Sequence, residues 1–387
     1  MSTIKVQNIQ HTGSSTNAIA LASDGTCTAN ITNNLSNRRL TINGAMEVSQ
    51  RGTSTTTNGY LIDRFTSSLG GIDQMQFTMS QSTDAPSGFR KSLKFDITTA
   101  ETGGTGSDEY AMVRYITESQ DIAHFLYGTS GAKTITLSFH VKAYQTGTYA
   151  LNLFVGDSGR SYTANYTISQ SATWEKKTLT FVGDTGGSEV NVDNGHGLYI
   201  NWFMASGTDY KSSNAHFNQW GTLGSATGWA YGHNVDLLNS TDNYFQLAGV
   251  QLEVGDHATD FEHRSYADEI RLCERYFQTS FEKGQAPTHG LSKFIYKQGR
   301  PYSGAVVAGM DHTLRTEMRA TPTLVIYTTV NGAHATPNRV SYFEGSAWLS
   351  GSISVHPATN TKSFAFDGTL ATGFVLYQFN FTCDAEL

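Results

Sequence analysis

Apolar and polar residues alternate one by one over several stretches of this chain. Within residues 132–142 the odd positions Ile135, Leu137, Phe139 and Val141 are apolar, and the even positions Thr134, Thr136, Ser138, His140 and Lys142 are polar. A period of two places the two sets on opposite faces of a pleated strand. Residues 149–155 follow after a Gln-Thr-Gly turn, so the two stretches are expected to pair as a hairpin. Residues 89–97, 174–182, 198–203 and 244–254 read as further strands. The last of these changes phase, from Phe245 and Leu247 to Val250, Leu252 and Val254. Gly249 stands at the switch, which predicts a bulge. In the C-terminal third, residues 324–330, 341–343, 352–355 and 374–381 carry the same signal. Helical spacing is convincing only once. Tyr266, Ile270, Cys273 and Phe277 share one face, behind a Ser265-x-x-Asp268 start of the capping-box kind.

These patterns predict an all-β protein in three parts. Residues 1–40 have few aromatic rings and no long apolar run. Ile4, Val6 and Ile9 suit one short strand, and Ile19 and Leu21 another, but such a segment cannot bury a core alone. Residues 41–264 form a β-sandwich of the jelly-roll kind. Residues 265–387 form a short linking helix followed by a small C-terminal β domain.

Composition agrees with that picture. The chain has 387 residues, 38 of them Gly and only 6 Pro, with 15% charged and 12% aromatic side chains. Thr, Tyr and Phe suit half-buried pleated surfaces, and Gly and Asn suit turns. The net charge of −7 argues against a nucleic-acid partner, which would call for a basic patch. The three cysteines, Cys27, Cys273 and Cys383, are far apart and lack metal-site spacing. No apolar run reaches the roughly 18 residues of a membrane span, so no membrane insertion is expected. No export signal is visible at the N-terminus, which fits synthesis and assembly inside a host cell.

Two stretches resemble phage proteins. Residues 37–52 (NRRLTINGAMEVSQRG), with 60–65 (YLIDRF), open the central region, and residues 245–255 (FQLAGVQLEVG), 259–266 (TDFEHRSY) and 272–277 (LCERYF) close it. Over residues 37–280 the chain resembles tail-fibre proteins of tailed bacteriophages that carry a carbohydrate-binding-module-like jelly roll. The resemblance implies a homotrimeric virion appendage, located in the tail, made in the host cytoplasm and joined to other virion tail proteins through residues 1–40. Its far end would meet a host cell-surface glycan or other receptor without covalent chemistry. The Asn43-Gly44-Ala45-Met46-Glu47 opening also resembles that of carbohydrate-binding jelly rolls, in which a Glu at this position helps to hold calcium. The closing strand reads Leu247-Ala248-Gly249-Val250 where that pattern has carboxylates, and a hard cation wants 6 to 8 oxygen ligands, so no metal and no cofactor is expected.

The candidate binding residues come from the segment 205–242, which is far longer than a usual connection. It holds Trp220, Trp229, Tyr231 and Tyr210 among Gly and Ser, and flat rings of this kind stack on the CH faces of sugars. The alternative is that the rings pack the loop onto the protein. Trp174 and Trp202 stand in strand patterns and are expected in the core. The sequence Gly156-Asp157-Ser158-Gly159 mimics a protease nucleophile motif but sits between two strands, where it reads as a turn. Asp108, Glu109, Glu253, Asp256, Asp260 and Glu262 are available carboxylates, yet nothing orders two of them as the flanking pair that glycoside cleavage uses. The expectation is therefore an adhesin without enzymatic activity. The competing readings are a purely structural tail adaptor or spacer and a glycan-degrading tailspike enzyme.

Overall fold

The computed structural model describes residues 5–10, 12–23, 27–29, 38–222, 226–289, 294–299, 306–329, 338–344, 346–369 and 375–387. At the N-terminus, β1 (Asn8–Ile9), β2 (Ile19–Leu21) and β3 (Cys27–Ala29) form a three-stranded antiparallel sheet. Val6, Ile9 and Leu21 are exposed, and among the described side chains of this segment none is buried. Ile4, part of the first expected strand, lies outside the described residues.

The central region contains β4 (Ser54–Thr55), β5 (Phe65–Gly70), β6 (Gln76–Ser82), β7 (Ser92–Thr99), β8 (Tyr110–Glu118), β9 (Ile135–Ala143), β10 (Gly147–Val155), β11 (Arg160–Ile168), β12 (Glu175–Phe181), β13 (His196–Ser206), β14 (Gly221–Thr222) and β15 (Tyr244–Val254). They build two six-stranded sheets, ordered β12-β9-β15-β7-β6-β4 in front and β14-β11-β10-β13-β8-β5 behind. The apolar phase of the longer strands points between the sheets. Leu137, Phe139 and Val141 meet Leu151, Leu153 and Trp202 in one buried cluster, and the Phe139 and Trp202 rings cross edge to face at 5.8 Å. This is the two-sheet sandwich that the alternation predicts.

Three expectations need correction. The hairpin between residues 132–142 and 149–155 does not form: β9 pairs with β12 and β15, whereas β10 pairs with β11 and β13. The Gln-Thr-Gly turn instead carries the chain across from one sheet to the other. Gly147 adopts φ +146° there, and a side chain on it would lie 2.6 Å from Val235 Cγ2. Phe277 is not on the helix. That helix, α2 (Tyr266–Glu274), follows the single short turn α1 (Ser119–Ile122) in chain order and stops before Phe277, which enters a strand opposite Asp384 and lies under the Arg51 guanidinium at 3.7 Å. Trp174 is not in the core. It is half-buried, and its Nε1 donates to Asp84 Oδ1 at 3.0 Å, whereas Trp202 is fully buried.

Other details agree. Ser265 caps α2, its hydroxyl accepting the Asp268 N–H at 3.1 Å. The register of β15 on β9 slips between Ala248 and Gln251, with Gly249 at φ +60°. Among the described residues no helix is long and apolar enough to cross a membrane.

Beyond α2 come β16 (Phe277–Thr279), β17 (Ile295–Gly299), β18 (Val306–Thr313), β19 (Thr323–Tyr327), β20 (Arg339–Glu344), β21 (Ala347–Val355), β22 (Ser363–Thr369) and β23 (Val375–Asp384). Val330 and Phe374, which the sequence pattern assigns to strands, lie outside the described residues. β23 is the organising strand and pairs with β16, β17, β19 and β20. A second core of Phe364, Phe366, Tyr377, Phe379 and Phe381 fills this region.

The two regions are locked together. Cys273 and Tyr276 pack on Ile42 and Val48, with Leu387 beside them. Arg64 is fully buried and pairs with Glu386, and Arg51 lies 3.0 Å from Asp384 and 3.5 Å from Glu386. Tyr60 donates its hydroxyl to Leu387 O at 2.7 Å.

Candidate functional site

The segment between β13 and β15 folds back over the outer face of the rear sheet. Within it β14 pairs with β11, and further backbone and side-chain hydrogen bonds pin the rest. Thr163 Oγ1 donates to Gly228 O at 2.9 Å, and Ala230 N donates to Tyr210 O at 2.9 Å. Ala230 is buried against Met112, Ala150 and Phe203, the outward residues of β8, β10 and β13. Tyr110, Tyr210 and Trp229 close over that patch.

Next to it the same face carries a row of polar side chains across four strands. Arg114 Nε donates to Asn201 Oδ1 at 2.7 Å, and Asn201 Nδ2 donates to Asn152 Oδ1 at 3.1 Å. Asn152 Nδ2 in turn donates to Ser161 Oγ at 2.7 Å and Thr163 Oγ1 at 3.1 Å. Register explains the row: Arg114 sits opposite Asn201, Asn201 opposite Asn152, and Asn152 opposite Thr163. Each bond fixes the rotamer of the next side chain, so the row is held in place.

Half-buried rings border it. Phe154 lies 5.4 Å from Tyr199 and 6.4 Å from Trp229, whose indole runs nearly parallel to the Tyr210 ring at 25°. The Arg114 guanidinium stands 5.3 Å from the Tyr199 ring centre. Burial lowers the pKa of Arg114, opposed by Tyr110 and Tyr199, and burial raises that of Tyr199, opposed by Arg114. Both groups keep their usual charge at neutral pH. Asn152, Asn201, Ser161 and Thr163 are buried, so the row orients the half-buried Arg114, which is the polar group this face presents beside the flat rings, and none of these side chains is a carboxylate.

The four residues singled out from the sequence fall in different places. Tyr210 and Trp229 belong to this face. Trp220 packs on Tyr127 and Tyr162 at the far edge, and its Nε1 donates to Val182 O at 2.7 Å. Tyr231 packs on Phe217. Sequence reasoning missed Arg114, Asn152, Phe154, Tyr199 and Asn201. The available signal was an amide two positions from a ring on the outward phase of two strands, Asn152 with Phe154 and Tyr199 with Asn201.

Three of the six carboxylates weighed for glycoside cleavage are engaged elsewhere. Glu253 accepts from Thr259 N and Oγ1, Glu262 accepts from the Arg38 and Arg39 N–H groups at 2.9 Å, and Asp256 binds His257. One further group could hold a cation: ligand oxygens of Asp73, Glu101 and Glu109 lie within 4.8 Å of one another.

His233 supports the folded loop from beneath, accepting the Ala150 N–H on Nδ1 at 3.1 Å. Burial, with Lys211 adding to it, pushes its pKa down to about 3. The unfolded chain therefore takes up a proton below the ordinary histidine value of about 6.5 that the folded chain refuses. The stabilising effect of neutral His233 is present above that value and is lost as pH falls. Between pH 7 and 5 the wild-type chain is expected to lose about 2 kcal/mol more stability than His233→Gln. Urea unfolding at both pH values checks this, and parallel profiles would refute it.

No protein-family model matches the chain, and no curated protein does. Among solved structures it is similar to a CBM4 module at 12% identity and TM-score 0.29, over 55% of this chain and 98% of that one. It is also similar to the C-terminal family 22 carbohydrate-binding module of Clostridium thermocellum Xyn10B, at 11% identity and TM-score 0.29, over 53% of this chain and 100% of that one. The enzymatically active domain of bacteriophage CBA120 tailspike protein 4 matches at 14% identity and TM-score 0.28, over 50% of this chain and 20% of that one. The chain thus spans a fifth of the tailspike chain it matches, and each likeness concerns about half of this chain.

Proposed function

We propose that this chain is a tail-fibre-type adhesin of a phage virion that holds host-surface glycan, without covalent chemistry, on the outer face of its rear sheet. The observation that carries the reading is the Arg114–Asn201–Asn152 row bordered by Tyr199, Phe154 and Trp229. A sugar presents hydroxyls at its edge and CH groups on its faces. The half-buried Arg114 guanidinium, oriented by the buried Asn201–Asn152 row, meets the first, and the rings meet the second. The tail-fibre part of the reading rests on the motifs at residues 37–65 and 245–277. An N-terminal sheet that exposes Val6, Ile9 and Leu21 gains a core when three copies associate. Three sites on one particle then raise avidity without any new contact. Cleavage is not part of the proposal, because the row holds no pair of carboxylates for a glycosidic bond.

The test is binding of the full chain to purified host envelope polysaccharide. Trp229→Ala and Tyr199→Ala are each expected to weaken it at least about tenfold, with no release of reducing ends. Light scattering should give three times the 42.2 kDa chain mass. Undiminished binding by both variants would remove the site, and release of reducing ends by wild type would replace adhesion with hydrolysis.

A further inference from the structure

On the other side of the molecule, the start of α2 and the opening motif enclose a cavity of about 200 Å³, a volume on the scale of one monosaccharide. Its lining brings together Arg39, Arg90 and Arg264 with only two carboxylates, Glu47 and Glu269. Glu269 is already heavily used. Its Oε1 accepts the Asn43 N–H and lies 3.8 Å from Arg264 Nη1, and its Oε2 binds Arg39 Nη2. One carboxylate therefore serves two guanidiniums and a backbone donor.

The positive groups are left in excess. The Arg39 side chain is 0% exposed, yet its Nε and Nη1 make no hydrogen bond. Arg90 is exposed and forms no ion pair among the described residues. Lys283 Nζ stands 4.0 Å over the ring of Tyr266, which forms part of the cavity wall. The positive end of α2 faces the same region, since Tyr266 is its first residue. Burial lowers the pKa of Arg39, Glu269 opposes this, and the like charge of Arg264 adds to the fall. Buried cations with spare planar donors are matched by a carboxylate, which accepts two parallel N–H bonds from one guanidinium. Glu47 remains on the wall as an acceptor for a hydroxyl.

We infer that this cavity takes the carboxylate of an acidic sugar, a uronic acid unit of the bound glycan, with the spare donors of Arg39 and the exposed Arg90 holding the carboxylate and Glu47 accepting from a ring hydroxyl. The assignment of the ligand as a sugar rests on the glycan-binding reading above and adds a second, charge-selective contact to it.

Binding of D-glucuronate, glucose and inorganic phosphate to the full chain, followed by NMR titration, tests it. Glucuronate should bind at least about tenfold more tightly than glucose. Arg90→Glu should abolish that preference and Arg90→Gln should reduce it, both with unchanged thermal unfolding because Arg90 is exposed. Trp229→Ala should leave it intact. Equal binding of glucuronate and glucose, or an intact preference in Arg90→Glu, would overturn the pocket. Phosphate binding as tightly as glucuronate would overturn the sugar assignment. The polysaccharide assay reports separately. If it shows loss in Trp229→Ala while glucuronate has no preference, the pocket alone fails. If glucuronate binds through Arg90 while no polysaccharide binds, the adhesin reading fails and the carboxylate site stands.

Discussion

Arg64→Met is expected to destabilise the protein by about 3–5 kcal/mol and to loosen the C-terminal β domain from the central sandwich. Arg64 has no exposed surface, and its guanidinium carbon lies 3.4 Å from the centre of the Tyr276 ring. It pairs with Glu386 and donates to Ile116 O. Removing the cation leaves the Glu386 carboxylate 4% exposed, with Arg51 at 3.5 Å its one remaining ion-pair partner among the described residues. A buried charge stripped of its partner costs far more than the pair contributes, because desolvation is no longer offset. The double variant Arg64→Met with Glu386→Gln should recover most of the loss, since it removes both charges. Urea unfolding of the three proteins measures this coupling, and proteolysis within β23 reports the loosening. A loss below about 1 kcal/mol for the single variant, within the range of exposed pairs, would mean that this junction is not held by its ions.

That junction also shows what could be read from the sequence and what could not. Strands were legible because each has one apolar face, and a period of two survives any arrangement in space. The partners of those strands were not, because a Gln-Thr-Gly turn says that the chain reverses without saying into which sheet. β9 and β10 carry equally good alternation and lie in opposite sheets. The proposed binding face was legible only in part. Loop length and ring content pointed to Tyr210 and Trp229, which sit on it. The same criteria pointed to Trp220, whose ring seals the sandwich edge instead. Arg114, Asn152 and Asn201 are far apart in the chain and look like the wet face of three separate strands. Only the strand order β11-β10-β13-β8 turns them into one row. The motifs that carry the family resemblance proved to hold the junction. From the opening motifs, Asn43 binds Glu269 of the linking helix, and Arg64 lies against Tyr276 of the closing motifs and pairs with Glu386 near the C-terminus.

Gly44 lies at the centre of that opening motif, and Gly44→Ala is expected to destabilise the protein by about 3 kcal/mol, the upper end of the range for overpacking. Its φ is not in the left-handed region, so the cost is one of space rather than backbone preference. A Cβ on Gly44 would lie 2.0 Å from Val250 O and 3.2 Å from Arg39 Nη1. Neither side can retreat easily. Val250 belongs to the interior strand β15 beside the Gly249 bulge, and its backbone already accepts from Thr41 Oγ1 at 2.6 Å and donates to Gly44 O at 3.0 Å. On the other side, Asn43 is held at φ +59° by Val48, Asp63 and Glu269. Gly131→Ala serves as the control. Its Cβ would meet nothing closer than 3.5 Å, and it should stay within about 0.5 kcal/mol of wild type. Urea unfolding of both variants, with unchanged m-values, isolates the effect of the contact. If Gly44→Ala behaves like Gly131→Ala, the close approach of the opening motif to β15 is not what holds the sandwich and the helix together. The Asn43-Gly44 opening would then owe its form to the neighbouring cavity rather than to the fold.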